Sequence, residues 1–281
     1  MTAAGPRPAQ PVPGTRGSDA TGAVAAAANS PVIVLTYRGS GSDTLQSLLS
    51  AIPGLACTSG TGVLPLVEQA AAAWRQVEGR ASQQVSPLAA ASIRAMVSSL
   101  TTVVLAREGK RRWCELARAQ PSAADAFVRL FPGTRVVCLH RACPDVIYET
   151  LHASDWGLAG PAFAPFTSAH PASTVAALAA FWATHTEQMI AFEDSHPAAC
   201  CRVRYEDLVA EPDRAAHSIQ AFLSGGPEPA APADPAGHQG PGAAVSPQAA
   251  ATPLPADQIP PLLLTWVDKL MADLGYPQLR G

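Results

Sequence analysis

Residues 32–49, VIVLTYRGSGSDTLQSLL, constrain the fold of this chain more than any other stretch. Val32 to Thr36 are few, apolar and without the alternation of a half-solvated strand, which reads as a strand buried on both faces. Leu45, Leu48, Leu49 and Ile52 then fall on one stripe of a helix that stops at Pro53-Gly54. Between strand and helix lies a glycine-rich turn, Gly39-Ser40-Gly41-Ser42. Such a turn aims several backbone N–H groups at one spot, adds the positive end of the helix dipole, and lets a ligand approach backbone that carries no Cβ. Ser40, Ser42 and Thr44 add hydroxyl donors. Phosphate or sulfate suits that arrangement; a ligand-free helix start capped by Ser42 or Asp43 is the other reading of the same residues. GxxxxGK[ST] is absent, no lysine follows the turn, and GxGxxG is not present, which excludes a nucleoside-triphosphatase loop and the dinucleotide fingerprint.

Strand and helix signals go on alternating. Helical patterns cover 64–78 and 87–106, and Ser122 reads as the cap of a short helix, SAADAFVRLF. A second buried strand, RVVCL (135–139), ends at His140-Arg141, with Pro144 at the favoured first position of the next helix. A long helix follows over 173–195, then a third strand, CRVRY (201–205), and a helix ending near Leu223. This order predicts an α/β fold, a short parallel sheet flanked by helices, over residues 31–223. An amphipathic helix within 259–281, with Gly275 as its cap, is expected to pack on that domain. Residues 1–30 and 224–258 are Pro/Gly/Ala-rich and read as a disordered tail and a disordered low-complexity linker.

The formal net charge is −3, so no basic field points to nucleic acid or an anionic membrane, and any anion site must be local. The first 30 residues lack an apolar signal core, and no uninterrupted apolar run approaches the roughly 18 residues of a membrane helix, so the cytoplasm is the expected compartment. Six cysteines form no CxxC pair and have no histidine partner at zinc spacing; they read as reduced, buried, small hydrophobes, with no metal site.

Four blocks in fixed order carry a family likeness. They are the opening turn, LFPGTRVVCLHRACPDVIYETL (130–151), CRVRYEDLVAEPDRAAHSIQAFL (201–223) and LMADLGYP (270–277). Together they resemble sulfotransferases that use 3′-phosphoadenosine 5′-phosphosulfate (PAPS), most of all the tyrosylprotein branch, a P-loop-type fold. The resemblance implies that Gly39, Ser40, Gly41, Ser42 and Thr44 hold the 5′-phosphosulfate and Arg141 the 3′-phosphate, with no metal. Tyr205, Glu206 and Trp182 match the family in position and read as structural. Several positions depart from the family. In a gap-free register Gly39 replaces the loop arginine, with Arg38 one residue early; Gly60 replaces the catalytic glutamate, Leu116 the lysine, and Glu149 the serine that shares the 3′-phosphate. Asp43 adds a carboxylate at the helix start. Arg38 curling over the phosphate and the Thr150 hydroxyl are the substitutes at hand. Glu68 and His140 are the candidate bases, with His185 near Trp182 a further histidine. With its bacterial-looking Ala/Pro/Gly bias, the chain is expected to transfer a sulfuryl group from PAPS to a hydroxyl of a small-molecule acceptor. The alternative is a catalytically impaired sulfotransferase-fold protein that binds or regulates.

Overall fold

The computed structural model describes residues 30–79, 84–118, 120–152, 162–225 and 256–279; most of the expected tail and linker lies outside these residues. Three expected strands form: β1 (Val32–Leu35), β4 (Arg135–His140) and β5 (Cys200–Arg204). Two strands the sequence did not announce join them, β2 (Leu55–Ser59) and β3 (Arg112–Ala117), giving a five-stranded parallel sheet in the order β2-β3-β1-β4-β5. β2 escapes the apolar pattern because it is an edge strand whose second half, Cys57 to Ser59, is partly exposed. β3 escapes it because Glu115 interrupts the run, yet that glutamate is only 2% exposed.

Helices α1 (Ser42–Ser50) and α9 (Pro212–Leu223) cover one face of the sheet, where Leu45, Leu49, Ile219 and Phe222 pack on Val32, Val34, Val137 and Leu139. The other face, built on Ile33, Leu35, Val136 and Cys138, lies under α2 (Val63–Val77), α3 (Pro87–Glu108), α4 (Pro121–Leu130), α5 (Cys143–His152), α7 (Thr174–Ser195) and α10 (Pro261–Asp273). Short helices α6 (Ala164–Ala169) and α8 (Tyr205–Ala210) complete the set. Each fully buried leucine or isoleucine on these faces contributes about 1.5–3 kcal/mol.

Pro121, not Ser122, opens α4, and Gln120 precedes it in extended backbone without a side-chain cap bond. Gly275 ends α10 as expected. Its φ is 75°, its N–H reaches the Ala272 carbonyl at 3.0 Å, and the next N–H, of Tyr276, reaches the Met271 carbonyl at 2.8 Å. α3 is the helix among the described residues long and apolar enough, by length and composition alone, to cross a membrane; 22% of its most apolar window is buried. Serines, threonines and Arg94 interrupt it, so a count of uninterrupted apolar runs misses it.

The topology fixes where a ligand can sit. From β1 the chain moves outward to β2 and returns to β3; after β4 it moves the other way, to β5. The loops leaving β1 and β4 therefore diverge at the C-terminal edge of the sheet and open a crevice there.

Candidate active site

The loop after β1 is shaped by what its residues bond to. Gly39 and Gly41 have φ of 81° and 84°, backbone that costs any L-side chain energy. A Cβ on Gly41 would overlap the Tyr205 ring, so the glycine is required by both conformation and space. Ser40 is fully buried and donates its hydroxyl to the Tyr37 carbonyl at 2.7 Å, which holds the turn closed and spends that donor. Gly41 is the N-cap of α1 and makes no side-chain cap bond. Thr44 N–H is taken by the Gly41 carbonyl at 3.2 Å. Arg38 stands exposed on the turn.

Beside the start of α1 lies a cavity of about 480 Å³, walled by the ends of β2 and β3 and the start of α2. Ser42, Asp43, Glu68, Glu115, Leu116 and Arg118 share its wall. Arg118 Nη2 lies 3.5 Å from Ser42 Oγ and 3.9 Å from Asp43 Oδ1. Both charged side chains are largely exposed, so the pair adds little to stability. It sets the electrostatics of the mouth instead, keeping a cation beside the helix start where Asp43 alone would repel an anion. Glu115 accepts from Thr58 Oγ1, from Thr61 N–H at 2.9 Å and from Thr61 Oγ1 at 2.7 Å, while Trp113 Nε1 donates to Thr58 Oγ1 at 2.8 Å. This network pins the loop after β2 to β3. It leaves Gly60 and Gly62, at φ of 72° and 70°, facing open space with nothing within 4 Å of an added Cβ.

The other end of the crevice holds Arg141, 5% exposed. Its Nη1 donates to the Gly39 carbonyl at 3.0 Å and to the Glu149 carboxylate, and its guanidinium carbon lies 4.2 Å from the Tyr205 ring centroid. Trp182 Nε1 donates to its carbonyl at 2.9 Å, and the Tyr37 hydroxyl sits 3.3 Å from the same carbonyl. Glu206 accepts from Ala142 N–H at 2.9 Å and from the Tyr276 hydroxyl at 2.7 Å. Thr150 is buried and donates its hydroxyl to the Val146 carbonyl at 2.7 Å. Burial raises the pKa of Asp145, one turn before Glu149; Arg141 opposes the rise and Glu149 adds to it.

The structure thus brings Ser42 and Glu68 to one cavity and gathers Gly39, Arg141 and Thr150 at the neighbouring end of the crevice. His140 goes elsewhere. It is fully buried and its Nε2 lies 2.9 Å from Glu193 Oε1, while Arg202 holds the other oxygen of that carboxylate. Burial alone would raise the Glu193 pKa, but the bonds from His140 and Arg202 outweigh it and hold the carboxyl below its ordinary value. His185 is bonded to the Phe181 carbonyl at 2.8 Å among aromatic rings, and burial lowers its pKa. Sequence reasoning missed Glu115 and Arg118. The one available signal was the odd placement of charge in an otherwise apolar RWCELAR stretch.

A sequence profile described as the sulfotransferase family matches residues 31–225. It does not single out the tyrosylprotein branch. Among solved structures, a sulfotransferase from Alicyclobacillus acidocaldarius aligns at 11% identity over 87% of this chain and 92% of that one, with a TM-score of 0.50. The sulfotransferase domain of the Synechococcus PCC 7002 olefin synthase aligns at 17% identity over 70% and 75% of the two chains, with a TM-score of 0.46. No curated protein sequence matches.

Proposed function

Because the chain belongs to the sulfotransferase family, we propose that it transfers a sulfuryl group from a nucleotide phosphosulfate to a hydroxyl of a small-molecule acceptor. The observation that carries this reading is the cavity of about 480 Å³ that joins the start of α1 to a carboxylate, Glu68, and a cation, Arg118. The phosphosulfate end of the donor is assigned to the N–H groups at that helix start, with Ser42 Oγ and Arg118 beside it and Arg38 closing from the exposed turn. A bound donor supplies an electrophilic sulfur with a phosphate leaving group; Ser42, Arg118 and the helix start then stand where charge grows on the leaving oxygen. Glu68 is assigned the acceptor proton. Glu115 has its donors already and acts by fixing the loop opposite. The cytoplasm, where the free cysteines stay reduced, is the compartment we assign.

PAPS, the donor the resemblance implies, fits this chain at one end only. The left-handed glycines and the uncapped start of α1 suit its 5′ end. Its 3′-phosphate would need Arg141, whose Nη1 already donates to Glu149 and the Gly39 carbonyl while Nε is without a hydrogen-bond partner among the described residues, and the Thr150 hydroxyl is spent on Val146. The same pairing favours a second reading, a catalytically impaired sulfotransferase-fold protein that binds or regulates.

Turnover separates the two. Nucleotide product from a phosphosulfate donor is followed by chromatography against a panel of phenols and alcohols. We expect product from the native chain and a loss of about 10²–10³-fold in kcat for Glu68→Gln and for Arg118→Ala, with the melting temperature unchanged. Nucleotide that binds without forming product from any acceptor would establish the second reading.

A further inference from the structure

We infer that the donor this chain takes carries a free 3′-hydroxyl, a nucleoside 5′-phosphosulfate such as adenosine 5′-phosphosulfate, with Glu149 as the residue that makes the choice. The inference rests on the sulfotransferase reading and refines its donor.

Access decides the matter first. The Arg141 side chain is 6% exposed and that of Glu149 is 40% exposed, so a ligand group coming from solvent meets the carboxylate before the guanidinium. Arg141 is held from three sides, although its Nε is buried without a hydrogen-bond partner among the described residues. The Gly39 carbonyl holds Nη1, the Tyr205 ring lies against its face, and Trp182 holds the backbone carbonyl. Charge points the same way. Glu149 and Asp145, one turn apart on α5, both act on Arg141 and set two carboxylates beside its guanidinium.

A 3′-phosphate placed there would set a dianion against two carboxylates at a partly buried site, where charge repulsion is weakly screened. It would also lack a hydroxyl donor, since Thr150 gives its proton to Val146. A 3′-hydroxyl meets none of this. It donates to Glu149, and the carboxylate keeps Arg141 as its counter-ion. Dinucleotide-binding folds discriminate at the ribose by the same chemistry, an acidic side chain for the hydroxyl and an arginine for the phosphate.

The reaction balances with this donor. The acceptor oxygen bonds to sulfur as the bond from sulfur to the bridging phosphate oxygen breaks. Adenosine 5′-monophosphate leaves with that electron pair, and the acceptor proton passes to Glu68.

Calorimetric titration with adenosine 5′-monophosphate and with adenosine 3′,5′-bisphosphate, at fixed ionic strength, tests the choice. The native chain is expected to bind the monophosphate about tenfold more tightly, the ratio that 1.4 kcal/mol supplies. Glu149→Ser is expected to reverse the order, and Glu149→Gln to lie between. Turnover with adenosine 5′-phosphosulfate should exceed turnover with PAPS in the native chain and fall below it in Glu149→Ser. Tighter binding of the bisphosphate by the native chain would overturn the inference while leaving the sulfotransferase reading standing. Bisphosphate binding that appears only in Glu149→Ser, with no monophosphate binding by either chain, would overturn it too and make the pair a lock. If neither nucleotide binds the native chain or a variant that melts normally, the inference and the function beneath it both fail.

Discussion

Gly41 joins the anion turn to the rest of the crevice through an atom it does not have. At φ of 84° a side chain costs about 1–2 kcal/mol, and a Cβ would also overlap the Tyr205 ring that supports Arg141. Gly41→Ala is therefore expected to lower stability by about 2–4 kcal/mol in urea denaturation and to weaken nucleotide binding as the ring shifts. A loss under about 0.5 kcal/mol, within the range of an ordinary surface substitution, would show that the ring swings aside freely. The glycines, Ser42 and Arg141 stand at positions the sequence marks by a local pattern, a strand end, a turn or a helix start, while Glu68 lies within α2. Arg118 and Glu115 are not so marked, because they meet partners distant in the chain, Glu115 with Thr61 across 54 residues and Arg118 with Ser42 across 76. Ser40 and His140 sit at positions that look functional, yet the turn spends one on the Tyr37 carbonyl and strand alternation sends the other to Glu193.

At the scale of elements, Glu193 ties α7 to β4 through His140 and to β5 through Arg202. Its carboxyl binds a proton less tightly in the folded chain than in the unfolded one, whose value is near 4.5. The stabilisation is complete above that unfolded value and drains away as pH falls through the lower folded one. The melting temperature should therefore drop below about pH 4.5 in the native chain. Glu193→Gln should lower the neutral-pH midpoint and flatten the acid limb; parallel limbs in the two proteins would mean that other carboxylates govern acid unfolding. The sheet shows how far elements can be read from the chain. β1 is apolar throughout and β4 is apolar between Arg135 and His140, so both were legible, and β5 was legible within one residue. β2 and β3 were hidden, one by exposure at the edge and one by a buried glutamate whose three donors come from β2 and the loop after it.

Across the whole molecule, α10 closes the face of the sheet opposite α1. It buries Leu263, Leu264, Val267, Leu270 and Met271, which at about 1.5–3 kcal/mol each matches the roughly 5–15 kcal/mol that holds a domain folded. A chain ending at residue 258 is expected to be insoluble or to lack a cooperative melting transition, and a soluble truncation with an ordinary transition would contradict this. The same helix reaches the crevice. Met271 Sδ accepts the Cys143 N–H across 128 residues of sequence, and Tyr276 braces Glu206 across 70. The glycine turn at 39–42 is synthesised about a hundred residues before Arg141, and the side chains that steady Arg141 come later still. Contacts of such separation form slowly because loop entropy must be overcome before they form. A nascent chain thus carries its turn long before the proposed nucleotide site can close, and on this reading nucleotide affinity is gained only once α10 has docked.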